Sequence, residues 1–335
     1  NQLDGRTWGL PWYVDTRLLF YRSDVLRAAG WAQAPVDWAG WRAAMASIKQ
    51  RGGPSRYPLL LPVSEWQPPV ILALQRGAGL LRDGDRYGDF ESAAFRAAFT
   101  FYLDFFRDGL TPASAEGQIA NLYQDFADGF FSIYITGPWN LGEFAARLPA
   151  ELQEAWTTAP MPAPSAAEAG ISIAGGASLA VSSQTAQAEA AWQLVEFLAD
   201  ADRQLQFYRL TGDLPARRSA WQAGQLAEAP RVAAFWQQLQ HVRTPPKIPE
   251  WERIATTITR YAEAAVRGDL SVDAALAGLD RDVDRILAKR RWLLDRAQAP
   301  GITRRRGATE PDAESGTSVE PLSPRASRPT RKRAA

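Results

Sequence analysis

The chain has 335 residues, 46% of them apolar, with 38 basic and 37 acidic side chains and a formal charge of +1. That length and apolar share support a substantial core and about two domains of ~100–200 residues each, and no apolar run of about 18 residues is present that would cross a bilayer. The absence of cysteine excludes disulfides, thiolate metal sites and cysteine nucleophiles, and the single histidine, His241, excludes a multi-histidine metal centre.

The first residues, Asn1-Gln2-Leu3-Asp4, are neither a basic n-region nor an apolar h-region, so no signal peptide is read here. Trp8 to Tyr21 is rich in aromatic and aliphatic residues and reads as an extended segment broken by Pro11. A short helix over Asp24–Ala29 follows, with Ser23 as N-cap and Gly30 just past its end. Asp37 opens a second helix that places Trp38, Trp41, Met45 and Ile48 on one face and ends at Gly52-Gly53. Arg56–Val63 suggests a short buried strand, Gln67–Leu80 a helix, and Glu91–Asp108 a strongly amphipathic helix stopped by Gly109. Phe130–Thr136 is the next strand, running into Gly137-Pro138-Trp139-Asn140.

From Ala169 to Pro215 a glycine-bearing apolar strand, Ile171 to Val181, leads into a helix over Ala186–Leu198 and a second one capped by Asp202. The stretch closes on Thr211-Gly212-Asp213-Leu214-Pro215. Gly175-Gly176 suits a cleft wall whose bare backbone meets a ligand; a β-bulge or tight bend explains the same residues equally well. Helical patterns return over Trp251–Val266 and Val272–Leu294, the latter with Ser271 as N-cap. Few strands among many helices fit α/β lobes with helices packed on short sheets, and the early buried-looking strand suggests a chain that starts inside a domain. Residues 300–335 hold eight basic and four acidic side chains, leaving 30 basic against 33 acidic elsewhere. With Ile302, Val319 and Leu322 as its large aliphatics, the segment 297–335 reads as a disordered basic tail. A solvated extension is favoured over a nucleic-acid or lipid contact, and no nucleic-acid partner is expected.

Phosphate loops, dinucleotide fingerprints and His-Glu-x-x-His are all missing. Gly176-Ala177-Ser178-Leu179-Ala180 is a poor nucleophile elbow without its closing glycine, and a glycosidase pair assembled from Glu65, Glu143 or Glu250 cannot be placed across a bond from sequence. No catalytic residue, metal or cofactor is therefore assigned. The positive signal is aromatic: of thirteen tryptophans, Trp12, Trp66, Trp139 and Trp251 sit near strand ends or helix starts, where ligands are bound on rigid scaffolds. A flat indole offers an apolar face to the C–H face of a sugar ring while neighbouring polar groups take its hydroxyls. For any one of them, a place in the core is as good a reading.

Several separate motifs, in order, resemble the extracellular solute-binding proteins of bacterial ABC sugar importers, the family of maltose- and trehalose-binding proteins. They are Trp8-Gly9-Leu10-Pro11-Trp12-Tyr13-Val14-Asp15-Thr16-Arg17-Leu18-Leu19-Phe20-Tyr21-Arg22, Phe126-Ala127-Asp128-Gly129, Gly137-Pro138-Trp139-Asn140, Gly175-Gly176-Ala177-Ser178-Leu179, Ala191-Trp192, Thr211-Gly212-Asp213-Leu214-Pro215 and Lys289-Arg290-Arg291-Trp292. The resemblance spans Asp4 to Arg296. It implies an α/β, periplasmic-binding-protein-like two-lobe fold (type II) that binds its ligand between lobes and closes on it. By resemblance, 1–20 holds a hinge strand and a remnant of the first lobe, 21–170 the second lobe, 171–208 the return crossing and first-lobe helices, and 209–296 helices packing mainly on the second lobe. Trp139 resembles the principal stacking platform, followed directly by Asn140, with Trp66 and Trp251 as further walls. Tyr13 and Asp15 resemble hinge-side polar contacts, Gly175 and Gly176 the backbone-exposing turn, and Arg217 a hydroxyl donor. The resemblance further implies a mono- to oligosaccharide ligand, importer transmembrane permease subunits as partners, a monomer, and a periplasmic or membrane-anchored extracellular location. Family members begin with a signal peptide and the first-lobe strands and helices, which this sequence does not show. The expectation drawn from that is weak or no sugar binding by this chain alone, or a fragment without activity.

Overall fold

The computed structural model describes residues 1–3, 5–113 and 121–298. Residues 1–293 form one compact unit; of the second, residues 294–335, only a helix end lies within the described residues, and it includes 297–298, the first two positions of the tail expected over 297–335, the rest of which lies outside them.

A small hairpin, β1 (Gln2–Leu3) with β2 (Arg6–Thr7), precedes β3 (Leu10–Asp15) and β4 (Leu18–Arg22). Next come α1 (Ser23–Ala28), α2 (Trp38–Gly52), β5 (Tyr57–Leu60) and α3 (Gln67–Gln75). A second hairpin, β6 (Leu81–Arg82) with β7 (Tyr87–Gly88), leads to α4 (Ala93–Arg107), α5 (Leu122–Ala127), β8 (Phe131–Thr136), α6 (Trp139–Arg147) and β9 (Trp156–Ala159). The chain continues through β10 (Ser172–Ile173), β11 (Gly175–Leu179), α7 (Ala188–Ala199), α8 (Ala201–Thr211), β12 (Leu214–Pro215), α9 (Arg218–Ala223) and α10 (Ala233–Leu239). It ends with β13 (Val242–Arg243), α11 (Trp251–Arg267), α12 (Val272–Ile286) and α13 (Ala288–Gln298).

Two sheets organise the compact unit. The larger runs β5-β8-β4-β9, with β5 parallel and β9 antiparallel to their neighbours. Alternation along its strands sends Leu19, Leu59, Ile133 and Ile135 to one cluster with α2, α3, α4, α11 and α12, and Leu18, Phe20, Leu60 and Tyr134 to another with Phe144, Trp156, Trp221 and Phe235. Both faces are covered, so β4 and β8 are apolar almost without interruption rather than alternating with charge. The smaller sheet, β11-β3-β12, is antiparallel. Between the two, β10 pairs in parallel with β13.

Local capping chemistry sets the helix starts. Asp37 Oδ1 accepts the Gly40 N–H at 2.7 Å, Ser92 serves Phe95, and Ser271 serves Ala274. Two expected caps differ. Ser23 is the first helical residue of α1 rather than its cap, because Arg22 precedes it and clasps Asp24 with two bonds of 2.8 and 2.7 Å. At α8 the cap is Asp200, whose carboxylate accepts the Asp202 N–H. The helix expected over Val272–Leu294 breaks at Leu287. The single strand expected over Ile171–Val181 divides, since Ala174 separates β10 from β11 and the two belong to different sheets. Trp192, within the helix expected over Ala186–Leu198, is 44% exposed and donates its indole N–H to Glu196.

Candidate ligand-binding site where the two sheets meet

Thr16 and Arg17 lie between β3 of the smaller sheet and β4 of the larger, and two hydroxyls fix this junction. The fully buried Thr16 donates from Oγ1 to the Ile173 carbonyl at 2.7 Å, and the equally buried Ser172 donates from Oγ to the Arg17 carbonyl at 2.7 Å. Each crossing segment is held by a hydroxyl of the other.

On the smaller sheet, the two-residue period of β3 puts Tyr13 and Asp15 on one face. Gly175 lies opposite Asp15, and a Cβ there would collide with the Asp15 carboxylate. Gly176, at φ +117°, lies so close to Tyr13 and Val14 that a Cβ would strike their backbone. The close approach that requires both glycines is thus made by β3 itself. A bulge is present as well, one step on, where the register shifts between Ala177 and Ser178 opposite Pro11. A proline can sit within β3 because the ladder is already interrupted there.

β12 pairs Leu214 with Val14 and Pro215 with Tyr13, a register that brings Asp213 beside Asp15. Like charges opposite one another on a sheet repel. Burial raises the Asp15 pKa above its ordinary value, the Arg17 guanidinium counters this, Asp213 raises it further, and the Gly176 N–H lowers it. Asp213 is raised by burial, against a hydrogen bond from Thr211. The Tyr13 phenol is also pushed up, by burial and then by Asp213 and Asp15.

The platform comes from the larger sheet. β8 ends at Thr136, and Gly137-Pro138 turns the chain so that Trp139 begins α6. The indole folds back over Gly137, where a Cβ would overlap its six-membered ring. Gly212, the left-handed cap of α8, packs with its Cα hydrogen side toward the Pro138 carbonyl and Trp139 Cα, so the Thr211–Asp213 turn adjoins the platform. Trp139 keeps 36% of its surface exposed. The Arg17 guanidinium carbon lies 4.3 Å from the indole centroid, and its Nη1 is 3.9 Å from Asp15 Oδ1. Tyr13, Asp15, Trp139, Gly175 and Gly176 are therefore linked into one site, together with Arg17 and Asp213. Those last two stand in the sequence motifs without a site role; Asp213 joins the site through the β3–β12 register and Arg17 through the Trp139 indole that follows β8.

The other expected residues have different settings. Asn140 is only 4% exposed; it donates from Nδ2 to Thr136 Oγ1 at 2.7 Å and accepts from the Tyr123 hydroxyl at 2.9 Å, so its amide fixes the start of α6. Trp66 and Trp251 meet edge to face, centroids 5.2 Å apart, and Trp251 is only 8% exposed. Trp251 borders an open groove of about 630 Å³ shared with Trp8, Gly9, Ser178 and Ile248, a lining to which Trp139 does not contribute. Trp12 stacks on Phe207 at 4.5 Å. Arg217 has an exposed side chain and donates its backbone N–H to Gln204.

The enzymatic alternatives lose their geometry. Ser178 lies inside β11 rather than at a strand-to-helix turn, and its hydroxyl donates to Asn1. Glu143 pairs with Arg147 on α6, and Glu250 with Arg290. Among the described residues, no group of three or more His, Asp or Glu side chains is arranged to hold a metal, and no helix is long and apolar enough to cross a membrane.

A family model described as bacterial extracellular solute-binding protein matches residues 1–234. The solved sugar-binding protein MalE of Xanthomonas citri is 44% identical, superposes with a TM-score of 0.84, and aligns over 88% of this chain and 74% of its own. A binding protein of Brucella abortus named as putative is 27% identical over 295 residues, 86% of this chain and 69% of its own length. The diacetylchitobiose-binding protein DasA of Streptomyces coelicolor is 25% identical over 81% of this chain and 64% of its own length. All three are binding proteins by name, and the structural neighbours have the two-lobe α/β fold of periplasmic sugar-binding proteins. The chain belongs to the bacterial extracellular solute-binding protein family.

Proposed function

We propose that the chain is the substrate-binding component of an ABC-type carbohydrate importer, holding a mono- to oligosaccharide non-covalently. The observation that carries this reading is the 36% exposed Trp139 indole, an apolar platform joined through Arg17 to the Asp15 carboxylate, with Asp213 and the Tyr13 hydroxyl near that carboxylate. A sugar ring has that same division between C–H faces and hydroxyl edges. The names of the Xanthomonas citri and Streptomyces coelicolor relatives, a sugar-binding and a diacetylchitobiose-binding protein, agree with it. In this reading Trp139 stacks the ring, Tyr13 and Asp15 take its hydroxyls, and Trp66 with Trp251 forms a more distant wall. Asn140 acts by positioning α6, and Arg217 remains a hydroxyl donor at the exposed rim.

The junctions at Thr16–Arg17 and Ser172–Gly175 serve as the crossings between lobes, with 21–170 as the larger lobe and the α7–α8 helices on the other side. The protein works outside the cytoplasm, periplasmic or membrane-anchored, as a monomer that hands sugar to permease subunits. Calorimetric titration with maltotriose and diacetylchitobiose tests the reading. At least about fivefold loss of sugar affinity in Trp139→Ala is expected, since an indole stack contributes on the order of 1 kcal/mol beyond area burial. Equal affinity in Trp139→Ala would remove the platform from the mechanism.

A further inference from the structure

The Trp139 platform is not bare. Arg17 lies against it at 4.3 Å while its side chain is only 15% exposed, and Asp15 draws the same guanidinium from the other direction at 3.9 Å. The Arg17 backbone is fixed by the Ser172 hydroxyl, so any movement must come from its side chain. Gly137 lies beneath the six-membered ring, which leaves little choice of indole face for a stacking ring. A sugar stacking on the indole face that Arg17 covers must displace the guanidinium.

The cation also has somewhere to go. Asp15 and Asp213 face each other across β3 and β12, and among the described residues Asp213 has no ion-pair partner of its own. One guanidinium beside two carboxylates leaves an uncompensated negative charge. A displaced Arg17 would relieve the repulsion between them, and bidentate carboxylate pairing suits its planar fork.

Resting on the reading of the site as a sugar platform, we infer that Arg17 is a resident competitor for the Trp139 face and sets affinity by being displaced toward Asp15 and Asp213 when a sugar ring stacks. The cation–π contact of the unliganded chain is then a tax on binding, because only the fraction of molecules with a free indole can stack a sugar. Arg17 thereby acts as a specificity-determining residue: a ligand too small to displace it gains little from the platform.

Isothermal titration of the chain and of Arg17→Gln, Asp213→Asn and the double variant with maltotriose and diacetylchitobiose tests this. Arg17→Gln should bind about five- to thirty-fold more tightly, the range a cation–π contact supports. Asp213→Asn should weaken binding several-fold when Arg17 is present and by a clearly smaller factor beside Arg17→Gln. In the unliganded chain the Arg17 side-chain NMR signals should be ring-current shifted, lose that shift in Trp139→Leu, and return to ordinary positions on saturation with sugar. Weaker binding by Arg17→Gln, with sugar still bound by the chain, would show the guanidinium holding the ligand and overturn the inference alone. Unshifted Arg17 signals in the unliganded chain would overturn it too. Failure of every variant to bind either sugar would remove the sugar-platform reading, and this inference with it.

Discussion

Gly175 and Gly176 are adjacent, yet the structure requires glycine at each for a different reason, and alanine scanning should separate them. At Gly176 the backbone has φ +117°, far from any region a side-chain-bearing residue adopts readily, and the added Cβ would meet the Tyr13 and Val14 backbone. A residue held at such a φ costs about 1–3 kcal/mol, and overpacking against main chain adds about 1–3 kcal/mol. Gly176→Ala should therefore lose about 2–6 kcal/mol, a large part of the ~5–15 kcal/mol that keeps a domain folded. At Gly175 the collision is with the Asp15 carboxylate, the end of a rotatable side chain. Moving it forfeits the hydrogen bond from the Gly176 N–H, about 1.5–3 kcal/mol for a charged acceptor, offset by rehydration and by the ~0.4–1 kcal/mol that alanine removes from unfolded-state entropy. Gly175→Ala should thus stay within about 1 kcal/mol of the parent in stability while Asp15 leaves its place and sugar affinity falls. Urea denaturation followed by tryptophan fluorescence, with calorimetric titration alongside, reads both. Equal losses of stability in the two variants, or less than about 1 kcal/mol for Gly176→Ala, would refute the assignment of the two approaches.

The paired carboxylates give a pH dependence of defined sign. Because burial raises the folded-state pKa of Asp213 above its ordinary 3.8, the native state holds this proton more tightly; its contribution to stability is present below that value and is lost as pH rises through the raised one. Asp213→Asn should accordingly be more stable than the parent at pH 7, by about 0.2–1 kcal/mol for removal of a facing like charge, with the gain vanishing toward pH 3 in thermal melts. Asn140→Ala should destabilise by about 2–4 kcal/mol, since it strands the Thr136 and Tyr123 hydroxyls, and chemical denaturation would show it. Arg22→Ala should cost about 3 kcal/mol, because the 8% exposed guanidinium joins Asp24 to the Phe126 and Ala127 carbonyls; a change below about 1 kcal/mol in the same assay would contradict that role.

The elements that could be read from the residues are those whose signal is local. α2 was legible because Asp37 caps it and Trp38, Trp41, Met45 and Ile48 recur at helical spacing, and α4 because its pattern is strongly amphipathic and Gly109 stops it. The residues that went unassigned depend on distant partners. Asp213 becomes a site residue only through its register with β3, some two hundred positions earlier, and Arg17 only through an indole delivered by β8. Trp192 shows the opposite failure: helical spacing reveals that an apolar stripe exists on α7, but not whether anything covers it. The tryptophans divide in the same way. A loop-adjacent position was common to Trp12, Trp66, Trp139 and Trp251, yet Trp12, Trp66 and Trp251 lie against other aromatic rings, and of these four, among the described residues, only Trp139 has a charged group on its face.

The junction between the sheets constrains how such a site can work. Thr16 and Ser172 cross-link the two crossing segments through fully buried hydroxyls, each bonded to the other segment's carbonyl, so the crossings are restrained to move together. An unmade bond here would leave a buried carbonyl without a partner, which disfavours rotation at Thr16 or Arg17. Bending between the sheets is then displaced to either side of the junction, toward the Gly175-Gly176 pair and the start of β4. Asp15 and Gly175 belong to the smaller sheet and Trp139 to the larger, so a change in their relative angle alters the distance between carboxylate and platform. Arg17 spans that distance with its side chain, held by its backbone at the fixed point and touching both groups. The charge that covers the platform is thus anchored at the cross-linked junction, with its side chain between the Asp15 carboxylate and the indole.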